Sequence, residues 1–577
     1  MVQPETVAAD TAAREHGRWW REGIVYQIYP RSFLDTNGDG IGDLRGIINK
    51  LDYLQALGIT IVWLNPIYAS PNDDNGYDIS DYESIMAEFG TMADFEELLH
   101  GLHERGIRLI MDLVVNHSSD EHAWFVESRR SRDNPHRDFY IWRDGVDTPA
   151  GEQPPNNWRS FFSGSTWEKD AATGQYYLHL FSRKQPDLNW EHPPVREAVY
   201  DMMNRWFDMG IDGFRMDVIN LLSKVPGLPS VPDTPPGELA WGGRYFVNGP
   251  RLHEFLQEMH QRTLAGRDVM TVGECVAVDV AEGRKLVGQD RGELDMIFQM
   301  EHMDLDSGPL GKWDIKQPWS RAELKSILGR WIQGLHGDGW NSQFWTNHDQ
   351  PRTVSRFGND SPEWREKSAL ALAALPLTLP GTPYIYQGDE IGMTNVAFPI
   401  EDYRDLETLN WYREEVARGR DPAALMPAIH FKSRDNARTP MQWDDSAQAG
   451  FTSGTPWLRI NPDYAQINVA EAMARPGSVW HGFRELIELR KANPGLAYAE
   501  LTWLWPEHEA LVVFRSRHQQ QNWLIALNLH NEPQTLPTEL PPVELWLWSN
   551  EPLPSGPVQS LAPWQALVGQ LPTASAG

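Results

Sequence analysis

Short apolar runs rich in β-branched and aromatic residues recur along the chain, separated by longer stretches of helical periodicity. The runs fall at 24–29, 60–64, 108–114, 213–216, 269–273, 296–300, 343–346 and 384–386. The segments 44–57, 92–105, 195–209 and 251–264 are amphipathic, with the spacing that gives a helix one buried stripe. Strand–helix alternation predicts a parallel sheet, and eight strands predict closure into a (β/α)8 barrel, an α/β fold.

The gap between the third and fourth runs is far longer than the others and predicts a subdomain inserted after the third strand, at 117–186. It is rich in Asn, Asp, Trp and Pro, with strand-like pieces such as 176–181. Beyond the eighth run, 395–457 is polar and irregular, and predicts loops and short helices over the barrel mouth. A last amphipathic helix is expected at 481–492. The runs 510–517, 523–529 and 543–548 then alternate in the strand manner with turn signals between them. The expected organisation is a barrel of residues 1–116 plus 187–500, a subdomain of 117–186, and a C-terminal antiparallel, sandwich-like β domain of 501–577.

At 577 residues the chain is too long for one compact core, in keeping with that division. The formal net charge of −29 argues against nucleic acid and anionic membrane, both of which would repel it, and says little about a neutral ligand. A single cysteine, Cys275, excludes an internal disulfide and fits a reducing compartment. The opening MVQPETVAADTAAREHGRWW has no basic segment followed by an apolar run, and no stretch is long and apolar enough to span a bilayer. A cytoplasmic protein is expected, monomeric or weakly homo-oligomeric, with a disordered tail over about the first 15 residues.

In such a barrel the reactive face lies at the C-terminal ends of the strands. The third run ends in Asp112, Asn116 and His117, and the fourth in Arg215 and Asp217. The fifth leads to Glu274 and the seventh to His348 and Asp349. Strand alternation puts Arg215 and Asp217 on one face, with Phe214 and Met216 on the other. A guanidinium beside a carboxylate favours the ionised acid, the state a nucleophile needs; the same pair would also serve as a purely structural ion pair. Glu274, flanked by Gly273, Cys275 and Val276, sits in an apolar setting that raises a carboxyl pKa and suits a general acid. Two such carboxyls flanking a bond are the equipment of glycoside hydrolysis. Asp349 is a third, placed to stabilise positive charge.

The runs DLVVNH, GFRMD, GE and NHD resemble, in order and spacing, the four signature regions of the alpha-amylase superfamily of glycoside hydrolases. The likeness runs from YQIYPRSF near the start to SRDNARTPMQW, and within the superfamily it is strongest to oligo-1,6-glucosidases and dextran glucosidases. The resemblance implies a retaining, exo-acting α-glucosidase with possible transglucosylation. Asp217 would be its nucleophile, Glu274 its acid/base and Asp349 its transition-state stabiliser. It implies glucose binding by Arg215, His117 and His348, with Asp74 on sugar hydroxyls and Tyr77 stacked on the ring. Arg434 would close the pocket, and Phe162, Phe181 and Glu407 would border the neighbouring subsite. Val218, next after the nucleophile, goes in this group with α-1,6 bonds, where Ala or Thr goes with α-1,4.

Residues 35–43, DTNGDGIGD, resemble the start of an EF-hand loop. Asp35, Asn37, Asp39, the Ile41 carbonyl and Asp43 stand at ligand positions, while Gly46 occupies the place of the closing Glu. A structural Ca2+ or Mg2+, remote from catalysis, is expected.

Sucrose isomerases and trehalose-6-phosphate hydrolases share the catalytic frame. The former should carry Thr after the nucleophile and an RLDR-type segment, where this chain has Val218 and EHMDLDSG. The latter should add cations to the pocket. Non-catalytic barrel partners of amino-acid transporters carry a membrane span and lack the carboxylates.

Overall fold

The computed structural model describes residues 18–149 and 151–572. The expected tail over the first 15 residues lies outside them.

Eight parallel strands form one sheet: β1 (Val25–Ile28), β2 (Ile61–Leu64), β3 (Arg108–Leu113), β4 (Gly213–Met216), β5 (Met270–Cys275), β6 (Met296–Gln299), β7 (Ser342–Gln343) and β8 (Thr382–Tyr386). Their spatial order is β6-β5-β4-β3-β2-β1-β8-β7. A parallel bridge from Ile297 to Asn341 and a 2.7 Å bond from Ser342 Oγ to the Ile297 carbonyl join the outer strands and close the barrel. The strands read as continuous apolar runs because a barrel wall is covered on both faces.

Flanking helices start and stop on local signals. Pro193–Met209 opens on two prolines, whose missing N–H groups cost nothing in a first turn, and ends at Gly210 with φ +105°. Met92–Glu104 carries a reciprocal capping box between Thr91 and Asp94. Three expected elements differ. The helix expected over 44–57 is two, Leu44–Ile48 and Leu51–Leu57, because Asp43 caps the first and the chain leaves helical geometry at Lys50. The expected 251–264 helix becomes a π-turn over His260–Leu264, where Thr263 Oγ1 bonds the Met259 carbonyl. The seventh strand pairs only at Ser342–Gln343, since 344–349 leaves the ladder to carry His348 and Asp349 to the mouth.

Between β3 and β4 the insertion holds a three-stranded sheet of Trp142–Arg143, Tyr176–Leu178 and Trp167–Lys169. Over the mouth, 395–457 contains two full helices, Leu406–Ala417 and Pro422–Lys432, rather than only short ones. Asp405 caps the first through the N–H groups of Glu407 and Thr408. The C-terminal sheet is antiparallel: β9 (Glu500–Leu504), β10 (Leu511–His518), β11 (Gln521–Asn528), β12 (Leu545–Ser549) and β13 (Ala566–Gln570), in the order β9-β10-β11-β13-β12. Among the described residues no helix is long and apolar enough to cross a membrane.

Candidate active site

The register of β3, β4 and β5 assembles the centre. Asp112 lies beside Arg215 on neighbouring strands, and Met216 beside Gly273 on the next pair. Arg215 is fully buried. Its Nη1 donates to Asp217 Oδ1 at 2.7 Å and to Asp112 Oδ1 at 2.6 Å. Its Nη2 lies 2.7 Å from Glu274 Oε2 without the alignment of a hydrogen bond. Gly273 is needed just before Glu274: a Cβ there would meet Leu294 at 2.7 Å and Ile219 at 2.8 Å.

Burial corrects the expectation that Arg215, here shared among three carboxylates, holds Asp217 low. Burial pushes Asp217 up to about 7; Arg215 opposes this, while Asp112 and Asp349 add to it. Burial likewise pushes Glu274 up to about 7, again against Arg215 and with Asp217 and Asp349 adding. Such neighbours titrate as a pair sharing one proton. A well-formed hydrogen bond to the charged form favours that form. Asp217 has a charge-assisted one from Arg215 at 2.7 Å, Glu274 only a longer neutral one from the Val218 N–H at 3.3 Å, so the shared proton sits on Glu274.

Asp349 behaves oppositely. Burial opposes its ionisation, but His348, Arg434 and Arg438 outweigh it and hold the carboxyl well below the usual range. Arg438 Nη2 reaches Asp349 Oδ1 at 2.6 Å and Arg434 Nη1 at 3.2 Å. His348 is itself held neutral by burial, so the two guanidiniums supply the positive charge. Gln27 Nε2 donates to His348 Nδ1 at 2.9 Å, which leaves the ring proton on Nε2, 3.3 Å from Asp349 Oδ2.

A cavity of about 340 Å3 opens above these groups and brings together Asp74, Tyr77, His117, Phe162, Phe181, Asp217, Val218, Glu274, Asp349, Glu407 and Arg434. His348 lies behind Tyr77, the two rings stacked at 4.9 Å. Arg434 ties the wall together through Asp74 at 3.0 Å and Asp405 at 2.7 Å. His117 Nε2 donates to the Tyr77 carbonyl at 3.0 Å, so that nitrogen already has a protein partner. Another cavity of about 380 Å3, at the N-terminal end of the strands beside Trp20 and Trp340, holds none of the three catalytic candidates.

Several lining residues escaped the sequence reading: Phe161, Met300, Asp304, Lys312 and Gln350. Arg438 had a usable signal, four residues after Arg434 and so on the same side of a helical turn. Lys312, on the hairpin 307–315, had none, and it is bound to Glu407 Oε2 at 2.5 Å. Val218 holds a left-handed backbone, φ 36° and ψ 42°, an outlier for a β-branched residue of the kind that clusters at functional sites. Its N–H points to Glu274 Oε2 at 3.3 Å.

The turn at 35–43 is held by its own bonds. Asp35 accepts from the N–H groups of Asn37, Gly38 and Gly40 and from Thr452 Oγ1, which fills its four lone-pair positions. Asp43 accepts from Thr36 and Gly46, and Asp39 Oδ1 from Ile41 N–H. No cluster of three or more His, Cys, Asp or Glu converges as a metal site among the described residues.

Comparison with known proteins agrees with this architecture. The chain is 61% identical over 482 residues to an oligo-1,6-glucosidase of Parageobacillus thermoglucosidasius, covering 83% of this chain and 85% of that protein. It is 52% identical over 561 residues to an oligo-1,6-glucosidase of Bacillus cereus, covering 96% and 99%. The solved isomaltulose synthase of Klebsiella sp. LX3 superposes with a TM-score of 0.91 at 43% identity, over 96% and 99% of the two chains. Residues 27–499 match the alpha-amylase catalytic domain, and the chain belongs to the alpha-amylase family.

Proposed function

We propose that this protein is a retaining, exo-acting α-glucosidase that hydrolyses short α-1,6-linked glucosides such as isomaltose and isomaltooligosaccharides. The observation that carries the reading is the single Arg215 guanidinium spanning Asp217 and Glu274 on the floor of the pocket. It seats an ionised and a protonated carboxyl side by side, the close arrangement retaining enzymes use. Asp217 attacks the anomeric carbon while Glu274 gives its proton to the glycosidic oxygen, and the outer sugar leaves. Glu274, now ionised, takes a proton from water as the water's oxygen displaces Asp217 from the anomeric carbon. Asp349, kept ionised, lies where positive charge develops on the ring. Asp74, Tyr77, His117 and Arg434 hold the terminal glucose, with His348 backing the Tyr77 ring. Product analysis on isomaltose, maltose, sucrose and trehalose tests this: isomaltose should be the best of the four, with glucose released.

Linkage preference hangs on Val218, which lines the pocket beside the nucleophile. A stiff β-branched side chain narrows the space for the leaving sugar. An α-1,6 linkage has an extra rotatable bond and swings its second glucose aside, whereas an α-1,4 linkage holds it close. One methyl-sized contact is worth about 1–3 kcal/mol, or roughly 10–200-fold. Val218→Ala should raise the maltose/isomaltose ratio of kcat/KM within that range, and Val218→Thr, almost equal to Val in volume, should raise it through polarity as well as size. An unchanged ratio in both variants contradicts the linkage assignment and leaves the glucosidase assignment standing.

A second reading is sucrose isomerisation, favoured by the structural likeness to isomaltulose synthase. Sucrose yielding isomaltulose or trehalulose instead of glucose and fructose would establish it. Transglucosylation by the same site is expected to grow as sugar displaces water in the outer subsite. A cytoplasmic enzyme is the finer reading, supported by the lone cysteine, and a monomeric or weakly associating state is proposed beside it.

Divalent-cation binding at 35–43 is proposed on residue spacing alone, since Ca2+ or Mg2+ would have to displace the hydrogen bonds that saturate Asp35. A ligand bound only to the folded state stabilises it by mass action, so chelation should lower the Tm. An unmoved Tm, with no metal in the purified protein, assigns the loop to a self-bonded turn.

A further inference from the structure

Outside the pocket a second cavity of about 490 Å3 continues from it. The two share Phe161 and Glu407, so a substrate longer than the first pocket can extend into the second. Its walls come from three places far apart in sequence. Residues 159–163 of the insertion form one side, the hairpin 307–315 the other, and the helix Leu406–Ala417 the floor. Bonds tie the walls together: Arg159 Nη2 to Glu414 at 2.6 Å, and Asn410 Nδ2 to the Phe162 carbonyl at 3.1 Å.

Trp313 and Trp411, both half-buried, stack with centroids 4.5 Å apart and planes at 13°. Beyond them Leu310 is 89% exposed at the hairpin tip. The cations of this groove are compensated. Arg418 pairs with Glu415 at 2.7 Å, Arg420 with Glu415 at 3.1 Å, and Lys312 with Glu407 at 2.5 Å. Balanced charge selects against a phosphorylated or anionic ligand. One face of each indole lies on the other and Lys312 Nζ sits over Trp313 at 5.1 Å, so the pair offers the groove its remaining exposed indole surface, which with a rim of paired donors and acceptors suits a neutral polyhydroxyl ring.

We propose that this groove is a distal sugar-binding site, in which Trp313 and Trp411 seat the third and later glucose units of an α-1,6-linked oligosaccharide and set a chain-length preference. The proposal rests on the α-glucosidase reading and adds to it where the far end of the substrate lies. The 1,6 linkage suits the path, because its extra torsion lets the third ring turn against the exposed indole surface.

The test compares kcat/KM for isomaltose, isomaltotriose and isomaltotetraose in the full-length enzyme and its variants. Wild type should favour isomaltotriose over isomaltose. Trp411→Ala and Trp313→Ala should lower that ratio roughly two- to tenfold, the scale of one lost aromatic contact, and Trp411→Phe should restore most of it. Arg420→Ala, at an exposed rim position, gives the same readout with no risk to the fold and should lower the ratio in the same direction. A ratio of wild-type size in all of these overturns the distal site, while isomaltose turnover by wild type keeps the functional reading intact. Failure of wild type to cleave isomaltose at all overturns both.

Discussion

Asp217→Ala is expected to lower kcat on isomaltose by about four to six orders of magnitude, as loss of a catalytic nucleophile does elsewhere. The fold should survive. Arg215 keeps its 2.6 Å bond to Asp112 and its contact with Glu274, so no buried guanidinium is stranded. The relevant measurements are single-turnover kinetics beside a melting curve. A variant that melts like wild type and turns over within tenfold of it would remove Asp217 from the nucleophile's role.

Glu274→Gln should cost about 10²–10⁴-fold on isomaltose, the range for a lost general acid. Its pH profile separates that role from a structural one. Burial raises Glu274, so it carries its proton up to about pH 7, and activity should fall as pH rises through that value. Glutamine has no proton to lose, so in the variant the alkaline fall should vanish on an aryl α-glucoside, whose leaving group needs little protonation. The acid limb belongs to Asp217, which must be ionised. Glu274 is already protonated there, so the glutamine variant should leave that limb in place. An alkaline limb unchanged in the variant would assign it to another group.

Much of this site is legible in the amino-acid sequence, and the physics says which part. Barrel strands announce themselves as apolar runs, and a charged residue at the end of such a run stands out. Asp112, Arg215, Asp217 and Glu274 are therefore all visible along their strands. What strand alternation cannot show is register. Only when β3 and β5 flank β4 does Arg215 become the common partner of three carboxylates, in a centre so buried that desolvation reverses the expected direction for Asp217. The left-handed backbone of Val218 is likewise a product of the turn after β4, since nothing in a valine predicts φ 36°. Lys312 and Trp313 sit on a hairpin that reaches the mouth only through tertiary contact with Glu407 and Trp411. The 35–43 motif shows the converse. Its spacing reads as a cation loop, yet the backbone N–H groups that the same turn presents, with the Thr452 hydroxyl, occupy Asp35 completely.

The most direct test follows the anomeric proton of freshly released glucose by proton NMR while wild-type enzyme hydrolyses isomaltose. Double displacement through Asp217 predicts that α-glucose appears first, with the β-anomer rising only at the rate of mutarotation. β-Glucose as the initial product would contradict the account.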